Sequence, residues 1–180
     1  MHIFTVRLQT RYTEVIILQG QLSQKERMLL EDMKKEEELC VIKYRNYAQQ
    51  ASDQQLSQLF NQLTSKEQEH YDTINQILKS GGQSQSGQGQ SGQGQSGSQM
   101  IPSSARINLS QMDPGSSSDK YLLQDMLSTE KHVSSAYDTS IFECSQPNIR
   151  QSLQQIQQDE QNHGEQLYQY MSSHGMYQTQ

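Results

Sequence analysis

Leu29-Leu30-Glu31-Asp32-Met33 returns as Leu122-Leu123-Gln124-Asp125-Met126, and Glu67-Gln68-Glu69-His70 returns as Glu160-Gln161-Asn162-His163. Both returns carry the same offset of 93 positions, with no gap between them. The same shift lays Glu37 on Glu130 and Tyr44 on Tyr137. Over residues 28 to 78, 13 of 51 positions are identical to their partners, and pairs such as Leu56 with Ile149, Leu63 with Ile156 and Ile74 with Leu167 are conservative. An ungapped likeness of this length marks a duplicated supersecondary unit.

Each copy predicts two amphipathic helices, because apolar residues recur every three or four positions. In the first copy the stripe runs Leu30, Met33, position 37, Cys40 and Val41, Tyr44, Ala48 and Ala51. After a break it continues as Leu56, Phe60, Leu63, positions 67 and 70, Ile74 and Ile77. Asp53 or Ser52 is the expected N-cap at the break. The second copy reads Leu123, Met126, position 130, Val133, Tyr137 and Ile141, then Ile149, Leu153, Ile156, positions 160 and 163, Leu167 and Tyr170. Its break at Ser145-Gln146-Pro147 suits a helix start, since proline fits the first turn.

Two helical hairpins give an all-α, four-helix bundle of the ferritin-like kind. The expected divisions are an extension of unknown role over 1–20, a first hairpin over 21–79, a linker over 80–118 and a second hairpin over 119–177. Residues 81 to 99 are only Gly, Ser and Gln, a composition that cannot bury a core and behaves as a flexible connection. If the hairpins pack side by side, this linker must run the length of the bundle. A 25-residue helix is about 38 Å long, and some 39 flexible residues span on the order of 35 Å.

The positions left unnamed in the stripes are Glu37, Glu67, His70, Glu130, Glu160 and His163. Each stands where the pattern demands a core side chain, and an ionised carboxylate there is expensive unless paired or bound to a metal. No Lys or Arg shares the stripes. Glu37 and Glu67 lie 15 residues either side of Ser52, and Glu130 and Glu160 lie 15 either side of Ser145. Antiparallel hairpins therefore put all four at one level, and each His follows its Glu by three residues on the same face. One Glu from each of two helices with Glu-x-x-His from each of the other two is a di-iron or di-manganese ligand set. Four carboxylates and two neutral imidazoles balance two divalent cations, and oxygen-rich ligation suits Fe or Mn. Two other readings stand beside this one: solvent-facing charges, and a buried polar network that no longer holds metal.

Tyr44 and Tyr137 follow the ligands on the same faces, either as packing residues with locally satisfied hydroxyls, as partners of a ligating carboxylate, or as redox-active groups. Glu36, Glu38, Glu69 and Asp159 flank the ligands and are expected to be solvated. His132 and His174 are expected at the surface, and Tyr168, Tyr170 and Tyr177 as edge packing. Cys40 and Cys144 are too few for a disulfide framework or a zinc module. They read as small buried side chains in an intracellular protein.

The remaining composition narrows the function classes. Hydrophobic residues make up 32% of the chain, the net charge is -6 and the mean hydropathy is -0.89. The apolar core must therefore be confined to the patterned segments. Nothing resembles a nucleic-acid footprint of clustered Lys and Arg, a membrane span or a secretory signal.

Lys120-Tyr121-Leu122-Leu123-Gln124-Asp125-Met126-Leu127-Ser128-Thr129-Glu130-Lys131, then Tyr137, Cys144-Ser145-Gln146-Pro147-Asn148-Ile149-Arg150 and His174-Gly175-Met176-Tyr177, resemble the spore coat protein F family. The likeness covers residues 119 to 177 and extends more loosely to 21–79. Met176 stands where the family pattern leads us to expect an aromatic residue. The resemblance implies synthesis during sporulation, a place in the spore coat, and other coat proteins as partners, with a homo-oligomer as a further expectation. The alternative function is a di-metal oxidoreductase consuming peroxide, similar to manganese catalase or rubrerythrin. The rubrerythrin form is disfavoured by the lack of a Cys-x-x-Cys module for electron delivery.

Overall fold

The structure is a computed structural model that describes residues 21–82 and 118–177. The 1–20 extension and nearly all of the expected linker lie outside the described residues. Among the described residues there are four helices: α1 (Gln24–Gln50), α2 (Gln54–Ser80), α3 (Ser118–Glu143) and α4 (Pro147–Ser173). α1 packs along α2 and α3 along α4, and the two hairpins meet mainly through α1 against α3. This is the all-α bundle of two hairpins that the repeat predicts, and it is compatible with a ferritin-like arrangement.

Local chemistry sets the helix ends. Asp53 is the N-cap of α2 and accepts from the Leu56 amide at 2.9 Å. Gly81 ends α2 at a φ of 64°, a left-handed conformation open to glycine at little steric penalty. Pro147 opens α4 in its first turn. Arg150 Nη1 donates to the carbonyls of Cys144 at 2.8 Å and Ser145 at 2.9 Å, satisfying groups that the end of α3 leaves unpaired.

The apolar core forms two clusters. One gathers Leu30, Met33, Ile74, Leu78, Val133, Ile141, Ile149, Leu153 and Ile156 with both cysteines. The other gathers Tyr47, Leu56, Phe60, Leu63, Leu122, Leu123, Met126, Leu167 and Met171. The end of α2 lies at the first cluster, through Leu78, and the start of α3 at the second, through Leu122 and Leu123. Each stripe drifts at its far end. Leu78 is buried where Ile77 was expected, and Met171 where Tyr170 was expected. These are equivalent repeat positions. From Glu67 to Leu78, or Glu160 to Met171, is 11 residues. That is close to three full turns at 3.6 residues each, which returns the side chain to the core face.

Two acidic residues outside the expected stripes fasten the hairpins to each other. Glu26 closes a capping box on Ser23, with the Ser23 amide donating to Oε2 at 2.7 Å. Its Oε1 accepts from the Ser145 amide at 2.7 Å and hydroxyl at 2.8 Å, across to the α3–α4 turn. Its repeat partner Asp119 does the same in reverse, accepting from the Ser52 amide at 2.8 Å and the Asp53 amide at 3.1 Å. Both are buried.

Burial alone would raise the Glu26 pKa, but the hydrogen bonds from Ser23 and Ser145 hold it down to about 2, against an ordinary 4.5. A depressed carboxyl pKa contributes stability that is present above the unfolded value and lost as pH falls through the folded one. In cation-free protein, Glu26→Gln is therefore expected to destabilise the fold by on the order of 1–2 kcal/mol at neutral pH. The difference from wild type should vanish between about pH 4.5 and 2 in denaturant titrations. A difference independent of pH would show that the charge of Glu26 is not what holds the turn.

Candidate metal centre

Between the two apolar clusters lies a single polar layer. Glu37 on α1, Glu67 and His70 on α2, Glu130 on α3, and Glu160 and His163 on α4 are all buried. The structure brings all six expected residues together. Ligand atoms of Glu37, Glu67, His70 and Glu160 lie within 4.8 Å of one another, and so do those of Glu67, Glu130, Glu160 and His163. Glu67 and Glu160 belong to both groups. The two imidazoles stack with centroids 5.5 Å apart.

The polar atoms of the layer divide in two. Tyr137 donates its hydroxyl to Glu37 Oε1 and Tyr44 donates to Glu130 Oε1, each reaching across to the other hairpin. The tyrosines thus hold carboxylates of the polar layer rather than satisfying their hydroxyls locally. Burial first, then the neighbouring carboxylates, raises both phenol pKa values well above 10, so both stay protonated donors. The second oxygens, Glu37 Oε2 and Glu130 Oε2, have no hydrogen-bond partner. Neither do both oxygens of Glu67, both of Glu160, and Nδ1 of His70 and His163. His163 Nδ1 stands 2.8 Å from Glu67 Oε1 and His70 Nδ1 stands 2.9 Å from Glu160 Oε1. These approaches are close but not aligned as hydrogen bonds. Eight buried atoms with lone pairs therefore converge on one space, where an unsatisfied polar atom normally costs 1–3 kcal/mol.

The electrostatics show the same strain. Burial pushes the carboxyl pKa values of Glu37, Glu130 and Glu160 up, with neighbouring carboxylates adding to the effect. Burial would also lower the His70 pKa, but the facing carboxylates of Glu160, Glu37 and Glu67 outweigh it and raise the value above the ordinary 6.5.

Asp159 departs from expectation. It is half-buried, and its Oδ2 lies 3.4 Å from Nε2 of His70, the nitrogen facing away from the layer. Its repeat partner Lys66 instead pairs with Glu69 at 2.8 Å. The contact runs from His70 on α2 across to Asp159 on α4, which stripe reading within one helix does not capture. His132 is exposed, with Glu36 3.9 Å away, and His174 stacks on Tyr170 with centroids 4.0 Å apart.

Residues 118–180 match the family model of the Coat F domain. The match takes in α3 and α4 and leaves α1 and α2 outside it. The matched segment holds Glu130, Glu160 and His163, and the first hairpin holds the equivalent half of the layer. No curated protein matches the chain in sequence. Among the described residues no helix is long and apolar enough to cross a membrane.

Proposed function

We propose that this chain is a spore coat component whose bundle core holds a di-metal carboxylate centre of iron or manganese. The match of residues 118–180 to the Coat F domain model supports the coat role. The metal reading rests on one observation: the buried, unpartnered donor atoms divide into two sets of four that share Glu67 and Glu160. Glu37 and His70 would serve one ion, Glu130 and His163 the other, with Glu67 and Glu160 common to both. The donor set of oxygens with one imidazole per ion suits Fe or Mn. Four carboxylates balance two divalent ions in charge, leaving no net charge stranded in the core.

When bound, such ions supply cross-linking between the hairpins and Lewis-acid or redox chemistry. The protein's own part is to position the ligands. Tyr44 and Tyr137 fix one oxygen of each terminal carboxylate and leave the other free. Asp159 sits where it can accept from Nε2–H of His70, which keeps Nδ1 as the lone-pair nitrogen. A metal that links four helices contributes directly to folding free energy, which matters in a chain with so few apolar residues. The coat role is tested by gold-labelled antibody on sections of sporulating cells. Label concentrated in the coat layers is the expected result, and label confined to the cytoplasm contradicts it.

A further inference from the structure

The duplicated halves of the centre are not walled alike. On the α3–α4 side a pocket of about 400 Å³ reaches Glu130 and Glu160, with Leu127, Gly164, Tyr168 and Tyr177 among its lining. The repeat places Tyr71 opposite Gly164 and Lys34 opposite Leu127. In the first hairpin Tyr71 is half-buried, with the Lys34 ammonium 5.9 Å from its ring centroid. A large ring capped by a cation thus occupies the place that a glycine and a leucine leave open beside Glu130.

Gly164 has no local structural reason to be glycine. It lies within α4, away from either end, and is not among the positive-φ glycines. A Cβ there would make only ordinary contacts, 3.7 Å from Leu127 Cδ1 and 3.9 Å from Glu130 Cβ. Glycine inside a helix is destabilising relative to alanine. Gly164→Ala is accordingly expected to raise the melting temperature by a few degrees. What glycine provides at this position is the missing bulk of a longer side chain.

We propose that this pocket binds a small molecule of phenol size, with an apolar body and a single hydroxyl head, and brings that oxygen to the Glu130–Glu160 edge of the centre. The volume falls in the range of small-molecule sites and far exceeds what water or a diatomic oxidant occupies. Leucine and tyrosine walls suit an aromatic body. Tyr168 and Tyr177 meet edge to face with centroids 5.1 Å apart, an arrangement that offers ring surfaces to a third ring. The destination of the hydroxyl rests on the metal reading above; the pocket itself does not.

The test titrates Co2+-loaded protein with phenol and follows the visible absorption of the cobalt. Wild type is expected to show a saturable change at one phenol per chain. Gly164→Phe, which fills the pocket, should keep its cobalt and bind phenol at least about tenfold more weakly. If Gly164→Phe does not fold, Leu127→Lys, which copies Lys34 of the first hairpin, is expected to show the same loss. Loaded wild type that ignores phenol, or a folded variant that responds undiminished, overturns the inference and leaves the metal reading standing. Wild type that takes up no Co2+ overturns the metal reading instead. On that cation-free protein, saturation transfer between phenol and the Tyr168 and Tyr177 rings supports the pocket, and its absence overturns it.

Discussion

Stripped of divalent cations at neutral pH, the protein should melt on the order of 10–20 °C lower than the loaded form. A ligand present at a thousand times its dissociation constant stabilises the fold by about 4 kcal/mol, and the core has two sets of donors to fill. For a domain of this size each kcal/mol moves the melting temperature by a few degrees.

The pH dependence should also change sign on stripping. Without metal, Glu37, Glu130 and Glu160 have raised pKa values, and so does His70. Raised groups contribute stability that is fully present below their unfolded values and lost as pH rises. Only Glu67 in the layer is shifted downward: burial acts against that shift, and the His163 and His70 contacts prevail. Cation-free protein should therefore weaken as pH rises from about 4.5 toward neutrality. Loaded protein should weaken on acidification, because protons compete for the ligands. Scanning calorimetry across this range, with and without chelator, reads both trends. Parallel curves would contradict a metal-dependent core.

Replacing the two shared carboxylates with leucine should separate stability from metal uptake. In cation-free protein the Glu67→Leu/Glu160→Leu variant is expected to be at least as stable as wild type, because apolar packing of similar volume replaces two crowded buried carboxylates and offsets the loss of their imidazole contacts. Both residues are fully buried between the two apolar clusters, and none of their four oxygens has a hydrogen-bond partner. The variant should meanwhile lose the stabilisation that added iron or manganese gives wild type. A polar network retained for its own hydrogen bonds predicts the opposite, a destabilised variant, because breaking such a network leaves its partners stranded. Chemical denaturation with and without metal distinguishes the two.

The buried polar layer was legible because carboxylates and imidazoles interrupt stripes that otherwise contain only core residues, and because the duplication repeats each interruption. What the stripes missed lies at their ends and edges. Glu26 and Asp119 occupy equivalent repeat positions, each four residues before a buried leucine, Leu30 and Leu123. That spacing continues the core face, and Ser23-x-x-Glu26 is a capping signal. Their real partners, though, sit in turns of the other hairpin, 119 residues away for Glu26 and Ser145, which periodicity within one helix does not reveal. Tyr47 was missed for the same reason, since its hydroxyl donates to Asp125 on α3 at 2.8 Å. The pairing of Tyr71 with Gly164 is visible in the repeat, but its meaning depends on the wall that the side chain builds.

The central claim is tested most directly by plasma mass spectrometry of metal per chain, on protein purified without chelator beside a Glu67→Ala/Glu160→Ala variant. The account predicts about two iron or manganese ions per wild-type chain, one for each donor set, and their loss in the variant. Little metal in either sample, even after reconstitution with both ions, would contradict it.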